Sequence, residues 1–116
     1  TADAWATDAA ALALCRAAIM RGLDKQLPCM LRAQLYMPLV HAEDLDLQRE
    51  CRRVYDALYA EVAPSLQPFF ERFLYVAKRH HDAIAAFSRF PERNQYLGRR
   101  DTPAERAYLE GAQDSK

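Results

Sequence analysis

The sequence predicts an all-α protein, either an antiparallel helical bundle or a tetratricopeptide-like helix-hairpin array of four to five helices. Apolar residues recur at helical spacing along most of the 116 residues, and no stretch alternates as a β-strand would. With 51% hydrophobic residues and three glycines, the chain is too apolar for an intrinsically disordered protein. We therefore predict a single helical domain over residues 1–111 and a frayed tail over residues 112–116.

The first two predicted helices occupy the first third of the chain. The first runs from about Asp3 to Arg21 and is ended by Gly22. Its apolar stripe contains Trp5, Ala9, Leu12 and Ile19. The second helix is short, follows Pro28, and is ended or kinked by Pro38. Its apolar positions are Met30, Leu31, Leu35 and Met37.

The later predicted helices have more regular apolar stripes. The third begins near Asp44 and stops before Pro64, and its stripe is Leu47, Cys51, Val54, Leu58 and Val62. The fourth runs from about Ser65 to Phe87, and its stripe is Phe69, Phe73, Ala77, His80, Ile84 and Phe87. The last begins at Thr102, which forms a capping-box pattern with Glu105 and has Pro103 at the first helical position. It would turn Tyr108 and Leu109 inward.

Charge and cysteine content exclude several classes of protein. The chain has 16 basic and 16 acidic residues, and residues 78–106, with 7 basic against 4 acidic, are far less basic than a nucleic-acid-binding surface. No apolar run reaches the roughly 20 residues that cross a bilayer. Cys15, Cys29 and Cys51 lie among apolar neighbours and form no Cys-x-x-Cys pair. We therefore predict buried reduced thiols in a cytoplasmic protein, with no cofactor and no metal.

A set of polar residues near two helix boundaries forms the candidate site. His80 lies on the apolar stripe of the fourth predicted helix, where a buried imidazole needs a hydrogen-bond partner. Antiparallel packing of the third and fourth helices would bring it close to the start of the third helix. The arginine-rich loop from Pro91 to Gly98 follows shortly after. The complete set is His41, Glu43, Asp44, His80, Arg89, Arg93, Asn94 and Arg99.

These residues allow a structural and a functional interpretation. A core histidine bonded to a carbonyl or carboxylate is commoner than a catalytic one, and the loop arginines can tie the loop to Glu43, Asp44 or Glu92. Asn94 in a turn most often bonds nearby backbone, and Gly98 supplies a positive φ. The same side chains could instead bind a small anion or act as acid–base groups. We name none of them as catalytic.

The last third of the chain resembles a bacterial family known as domain of unknown function nine-two-four. The family pattern is a His, then Phe-Gly-Arg-Phe-Pro-His-Arg-Asn, then Leu-Gly-Arg, then Thr-Pro-Glu-Glu. The matching residues here are His80, Phe87 to Asn94, Leu97 to Arg99 and Thr102 to Glu105, and the stretch from Tyr36 to Asp44 is similar as well. The resemblance implies an all-helical, tetratricopeptide-like fold and no established activity.

The chain departs from the family pattern at three positions and at its start. Ser88 replaces Gly, Glu92 replaces His and Ala104 replaces Glu, and the loss of the His weakens any proposal of catalysis in the loop. The family's preceding helical segment, with its own Phe-Pro-Arg-Asn run, is not present in this sequence. We therefore expect either a natural short form or a fragment.

The function that we favour is a non-catalytic module that binds a protein or peptide, or assembles as a homo-oligomer. Without the relatives' preceding helices, Trp5, Leu12 and Ile19 would lie on a helix that another chain covers. The alternative is an enzyme or small-anion-binding protein that uses the polar set, and it requires those side chains to converge on an open pocket. We expect no nucleic acid and no membrane as a partner.

Overall fold

The computed structural model describes the backbone of residues 2–114 and the side chains of residues 8–111, and this part of the chain forms helices and turns only. The α-helices are α1 (Ala2–Met20), α2 (Cys29–Leu35), α3 (Met37–Val40), α4 (Leu45–Glu61), α5 (Gln67–Phe87), α6 (Asn94–Leu97) and α7 (Pro103–Asp114). Short 3-10 helices span Leu23–Gln26 and Pro91–Arg93. The predicted all-α class is confirmed.

The core is built on the hairpin of α4 and α5, which pack together more extensively than any other pair of elements. The predicted stripe of α4 is confirmed, because Cys51, Val54, Leu58 and Val62 are all buried. Tyr55 adds to this face, stacks on Phe73 of α5 at 5.7 Å between ring centroids, and donates its hydroxyl to the carbonyl of Ala33 at 2.8 Å. Helix α1 adds the fully buried Cys15 to the same core, and Leu12 and Ile19 pack against it within the chain. The expectation that another chain covers Leu12 and Ile19 was therefore wrong.

Of the apolar positions predicted for the second helix, Leu35 and Met37 pack against the core as expected, and the other two do not. Met30 and Leu31 are exposed, whereas Arg32, Ala33 and Tyr36 are buried. The guanidinium of Arg32 donates to the Tyr36 hydroxyl at 2.8 Å and also to Glu61, and the Tyr36 hydroxyl donates to buried Asp24. A buried arginine is stable here because its donors have partners.

The expectations for Pro38, Phe69 and Ala9 were also wrong. Pro38 lies in the first turn of α3 and does not end a helix. Phe69 is exposed and its neighbour Phe70 is buried, and Ala9 is exposed on α1. The side chain of Trp5 lies outside the described residues. Helix α7 continues through the first residues of the predicted tail as far as Asp114.

Gln48 fixes the turn between α3 and α4, where the candidate site begins. Its side-chain nitrogen lies 2.8–3.1 Å from three carbonyl oxygens, those of Leu39, Val40 and Ala42. Carbonyls at a helix end lack partners within the helix, and Gln48 supplies a side-chain donor to them here. Asp44 then caps α4 by accepting a hydrogen bond from the Leu47 amide at 2.9 Å.

The turn after α5 contains a serine in a conformation that suits glycine. Ser88 has a φ of 63°. Among the described residues it is the one non-glycine residue with a positive φ. Its amide donates to the Ile84 carbonyl at 2.8 Å, as in a left-handed helix end. Gly98, as predicted, supplies a positive φ at the end of α6, at 67°. A side chain in this region costs about 1–2 kcal/mol.

We expect Ser88→Gly to raise the free energy of unfolding by about 1 kcal/mol, because the strain is relieved while the turn is kept. The matched control is Ala86→Gly, which changes an exposed position inside α5. That change should lower stability by about 0.5–1 kcal/mol, the usual cost of glycine inside a helix. Urea unfolding of both variants measures the difference, and a destabilised Ser88→Gly protein would contradict the expectation.

Candidate functional site

The carboxylate of Glu43 holds the loop that follows α5. Arg99 donates to it in a forked arrangement, from Nη1 to Oε2 at 2.9 Å and from Nη2 to Oε1 at 3.2 Å. The Phe90 amide donates to Oε1 at 3.3 Å, and Nη1 of Arg93 lies 3.5 Å from the same oxygen. Burial acts to raise the pKa of Glu43, but these hydrogen bonds and charges outweigh it, and the pKa is lowered. Glu43 is therefore an ionised anchor for the loop.

Arg99 and Asn94 extend this network into the loop itself. Nε of Arg99 donates to Oδ1 of Asn94 at 2.8 Å, and its Nη2 also donates to the Phe90 carbonyl at 3.1 Å. Asn94 is almost fully buried, and its Nδ2 donates to Asp101 at 2.8 Å rather than to nearby backbone as predicted. Because these groups bind one another, neither is positioned to hold a ligand.

Arg89 has a different partner from the one predicted. It forms a forked pair with Glu105 of α7, with both nitrogen–oxygen distances at 2.7 Å, and does not reach Glu43 or Asp44. Glu105 is buried and forms the predicted capping box with Thr102, at 2.8 and 3.1 Å. The Arg89 hydrogen bond, followed by the Thr102 amide, lowers the pKa of Glu105 to about 2. Arg89 reaches Glu105 because the chain reverses after α5 and brings the start of α7 close to the end of α5.

The two histidines lie next to each other, whereas the Asp44 side chain caps α4. The His41 and His80 ring centroids are 6.3 Å apart, and Nδ1 of His80 bonds the Val76 carbonyl at 2.9 Å, which is the structural role predicted for a core histidine. The His41 carbonyl accepts from Arg93 at 2.8 Å, so the predicted contact between the start of helix α4 and the loop is confirmed. Burial, then the neighbouring His80, lowers the pKa of the His41 imidazole. Among the described residues no cluster of three His, Cys or carboxylate side chains is arranged to hold a metal.

A groove of about 430 Å³ lies beside this network, between α5, the loop and α7. Of the predicted set only His80 and Arg93 line it. The other lining residues are Arg72, Tyr75, Val76, Arg79, Ala83, Phe90, Glu92 and Tyr108. Sequence reasoning missed the α5 members, although residues 72, 75, 76, 79 and 83 have the spacing of a single helix face.

A separate apolar surface lies on the N-terminal helices. Leu14 and Met20 of α1 are 70% and 84% exposed, and exposed apolar residues continue at Leu23, Leu27, Met30 and Leu31. Within the described residues, no helix has the length and apolar character needed to cross a membrane.

We expect the low pKa of Glu105 to produce a specific acid sensitivity. A carboxyl group whose pKa is lowered by folding stabilises the fold above its ordinary pKa of 4.5, and that contribution is lost as the pH falls toward 2. In Glu105→Gln the free energy of unfolding should therefore change less with pH between 4.5 and 2 than in the wild type. Glu110→Gln, at an exposed position on the same helix, should keep the wild-type slope. Equal slopes for the two variants, measured by urea unfolding, would contradict this role.

We expect Glu43 and Arg99 to be strongly coupled, because both side chains are about three-quarters buried and share two hydrogen bonds. A double-mutant cycle of Glu43→Gln and Arg99→Gln should give a coupling energy of about 1–3 kcal/mol. The exposed pair Asp46 and Arg49, at 3.3 Å, should give less than about 0.5 kcal/mol in the same experiment. A coupling energy no larger than that of the exposed pair would show that the network is not an anchor.

Comparison with known proteins places these features in a family without assigning an activity. No curated protein matches the chain. It is similar to a solved structure, the protein of unknown function ATU0120 from Agrobacterium tumefaciens, with 37% sequence identity and a TM-score of 0.77. The match covers 96% of this chain and 57% of that one, so the chain spans little more than half the length of that protein. Residues 1–113 match the family described as bacterial protein of unknown function DUF924, and the chain belongs to this family.

Proposed function

We propose that the chain is a non-catalytic assembly module that pairs with a second copy of itself through the exposed apolar face of α1 and α2. The observation that carries the proposal is the exposed stripe on α1. Ala10, Ala13, Leu14, Ala17 and Met20 follow helical spacing and are all exposed. Soluble monomers seldom expose large contiguous apolar patches.

The composition of this face favours another helix as its occupant. Alanine side chains allow two helix backbones to approach closely, and Leu14 and Met20 can pack into the grooves of a facing helix. Inside the protein, α1 packs mainly against the short α3 and the 3-10 helix at Leu23–Gln26. These short elements cover one side of α1 only. A second copy brings an identical stripe, so one two-fold contact would cover both.

The polar network argues against catalysis as the main function. Glu43, Arg99 and Glu105 are bound by their own neighbours, and the pKa shifts of Glu43 and Glu105 move them away from neutral pH. A general acid or base works best when its pKa is close to the operating pH. The proposal also retains the predicted cytoplasmic location and the tetratricopeptide-like stacking of helix pairs, in which one face is buried and another is presented to a partner.

We expect the protein to sediment at micromolar concentration as a dimer, at twice the 13.3 kDa of one chain. Leu14→Glu should dissociate it, because a carboxylate buried at an apolar contact costs several kcal/mol. Leu66→Glu, at another exposed leucine, should remain dimeric. Circular dichroism would confirm that both variants are folded. A monomeric wild-type protein, or equal effects of the two substitutions, would contradict the proposal.

A further inference from the structure

The groove between α5 and α7 has cationic groups that the fold does not use. Arg72 and Arg79 line it and are exposed, and neither forms an ion pair among the described residues. Among the described residues Arg79 interacts with two tyrosines, with its Nη1 at 3.3 Å from the Tyr75 hydroxyl, its guanidinium 5.9 Å from the Tyr75 ring, and Tyr108 on the other side of the groove. Arg32, Arg89 and Arg99 are, in contrast, paired with carboxylates. The groove therefore has guanidinium donors available to an anion.

The remaining lining adds to the positive potential and supplies hydrogen bonds. Arg93 also lines the groove, and among the described lining residues the one carboxylate is that of Glu92, which interacts with Tyr108. His80 uses Nδ1 on the Val76 carbonyl, which leaves Nε2 without a hydrogen-bond partner among the described residues. A concave surface lined by one sign of charge concentrates ions of the opposite sign. This excess of cations occurs in a chain whose formal net charge is zero.

An apolar pocket shares two lining residues with this groove. It has a volume of about 200 Å³ and is lined by Met37, Val40, Tyr55, Arg72, Phe73 and Val76. Arg72 and Val76 line both spaces, so the pocket adjoins the groove at its cationic rim. A ligand whose charged group lies beside Arg72 could place an apolar body against Val40 and Phe73. Small-molecule sites commonly combine an apolar lining with a few convergent polar groups.

We propose that this composite space binds a small organic anion, a carboxylate or phosphate head on a short apolar body. Arg72 and Arg79 bind the head, because guanidinium groups match the geometry of carboxylate and phosphate oxygens. The adjoining pocket binds the body. The site is lined by residues of α3, α4, α5, the loop and α7 and by none of the exposed α1 stripe, so it is independent of the proposed dimer.

Titration of the full chain with simple probes, followed by NMR of the backbone amides, tests both parts of the site. Hexanoate and phenyl phosphate carry a head and a body, acetate and inorganic phosphate carry a head only, and 1-hexanol carries a body only. We expect at least one of the first two probes to bind, with shifts concentrated in residues 72–83. The probes that lack a head or a body should bind at least about tenfold more weakly.

Two substitutions assign the binding to the groove. Arg72→Gln and Arg79→Gln should each weaken the probe by about fivefold or more, while both keep the fold because the side chains are exposed. Arg53→Gln, at an exposed arginine on α4 outside the groove, is the matched control. Unchanged affinity in both groove variants would overturn the proposal. So would equal binding of inorganic phosphate and phenyl phosphate, or no binding of either two-part probe.

Discussion

The ionised carboxylate of Glu43 is the contact on which the last third of the fold depends. It joins the turn before α4 to a loop more than forty residues later, and it receives Arg99, the Phe90 amide and Arg93 there. If the carboxylate were removed, partly buried donors would lose their acceptor, which costs more than the bonds themselves contribute. Phe90 and Arg93 also form one wall of the groove. The shape of the groove therefore depends on an ion pair that does not itself face the ligand.

These contacts distinguish the arginines that hold the fold from the arginines that are available to bind an anion. Within the network, Arg99 donates from Nε, Nη1 and Nη2, and Arg89 binds both Glu105 and the Arg100 carbonyl. A group held in this way stabilises one conformation, but it has little capacity left for a substrate. Arg72 and Arg79 lie on α5, outside the network, and bond no carboxylate among the described residues. The chemistry that the chain can offer to an anion therefore lies mainly on the face of α5, and of the predicted polar set only His80 and Arg93 line that groove.

The sequence alone predicted α4 correctly, because the spacing of its apolar residues determines which face is buried. It failed in α2, because Arg32 and Tyr36 are buried only through partners, Glu61 and Asp24, that are distant in sequence. The contact between the start of α4 and the loop followed from antiparallel packing. The pairing of Arg89 with Glu105 did not, since it depends on how α7 folds back. The groove was missed because its arginines looked like an ordinary solvated helix face.

The motif that marks the family is explained by this network more than by any activity. Arg89, Asn94, Arg99 and Glu105 all belong to the motif, and each makes a contact that holds the loop, either within it or to Glu43 and α7. Such a motif reports how the turn is held. The position where this chain carries Glu92 in place of the family's His lies in the groove lining. A change there alters the charge that a ligand meets while the anchor stays intact.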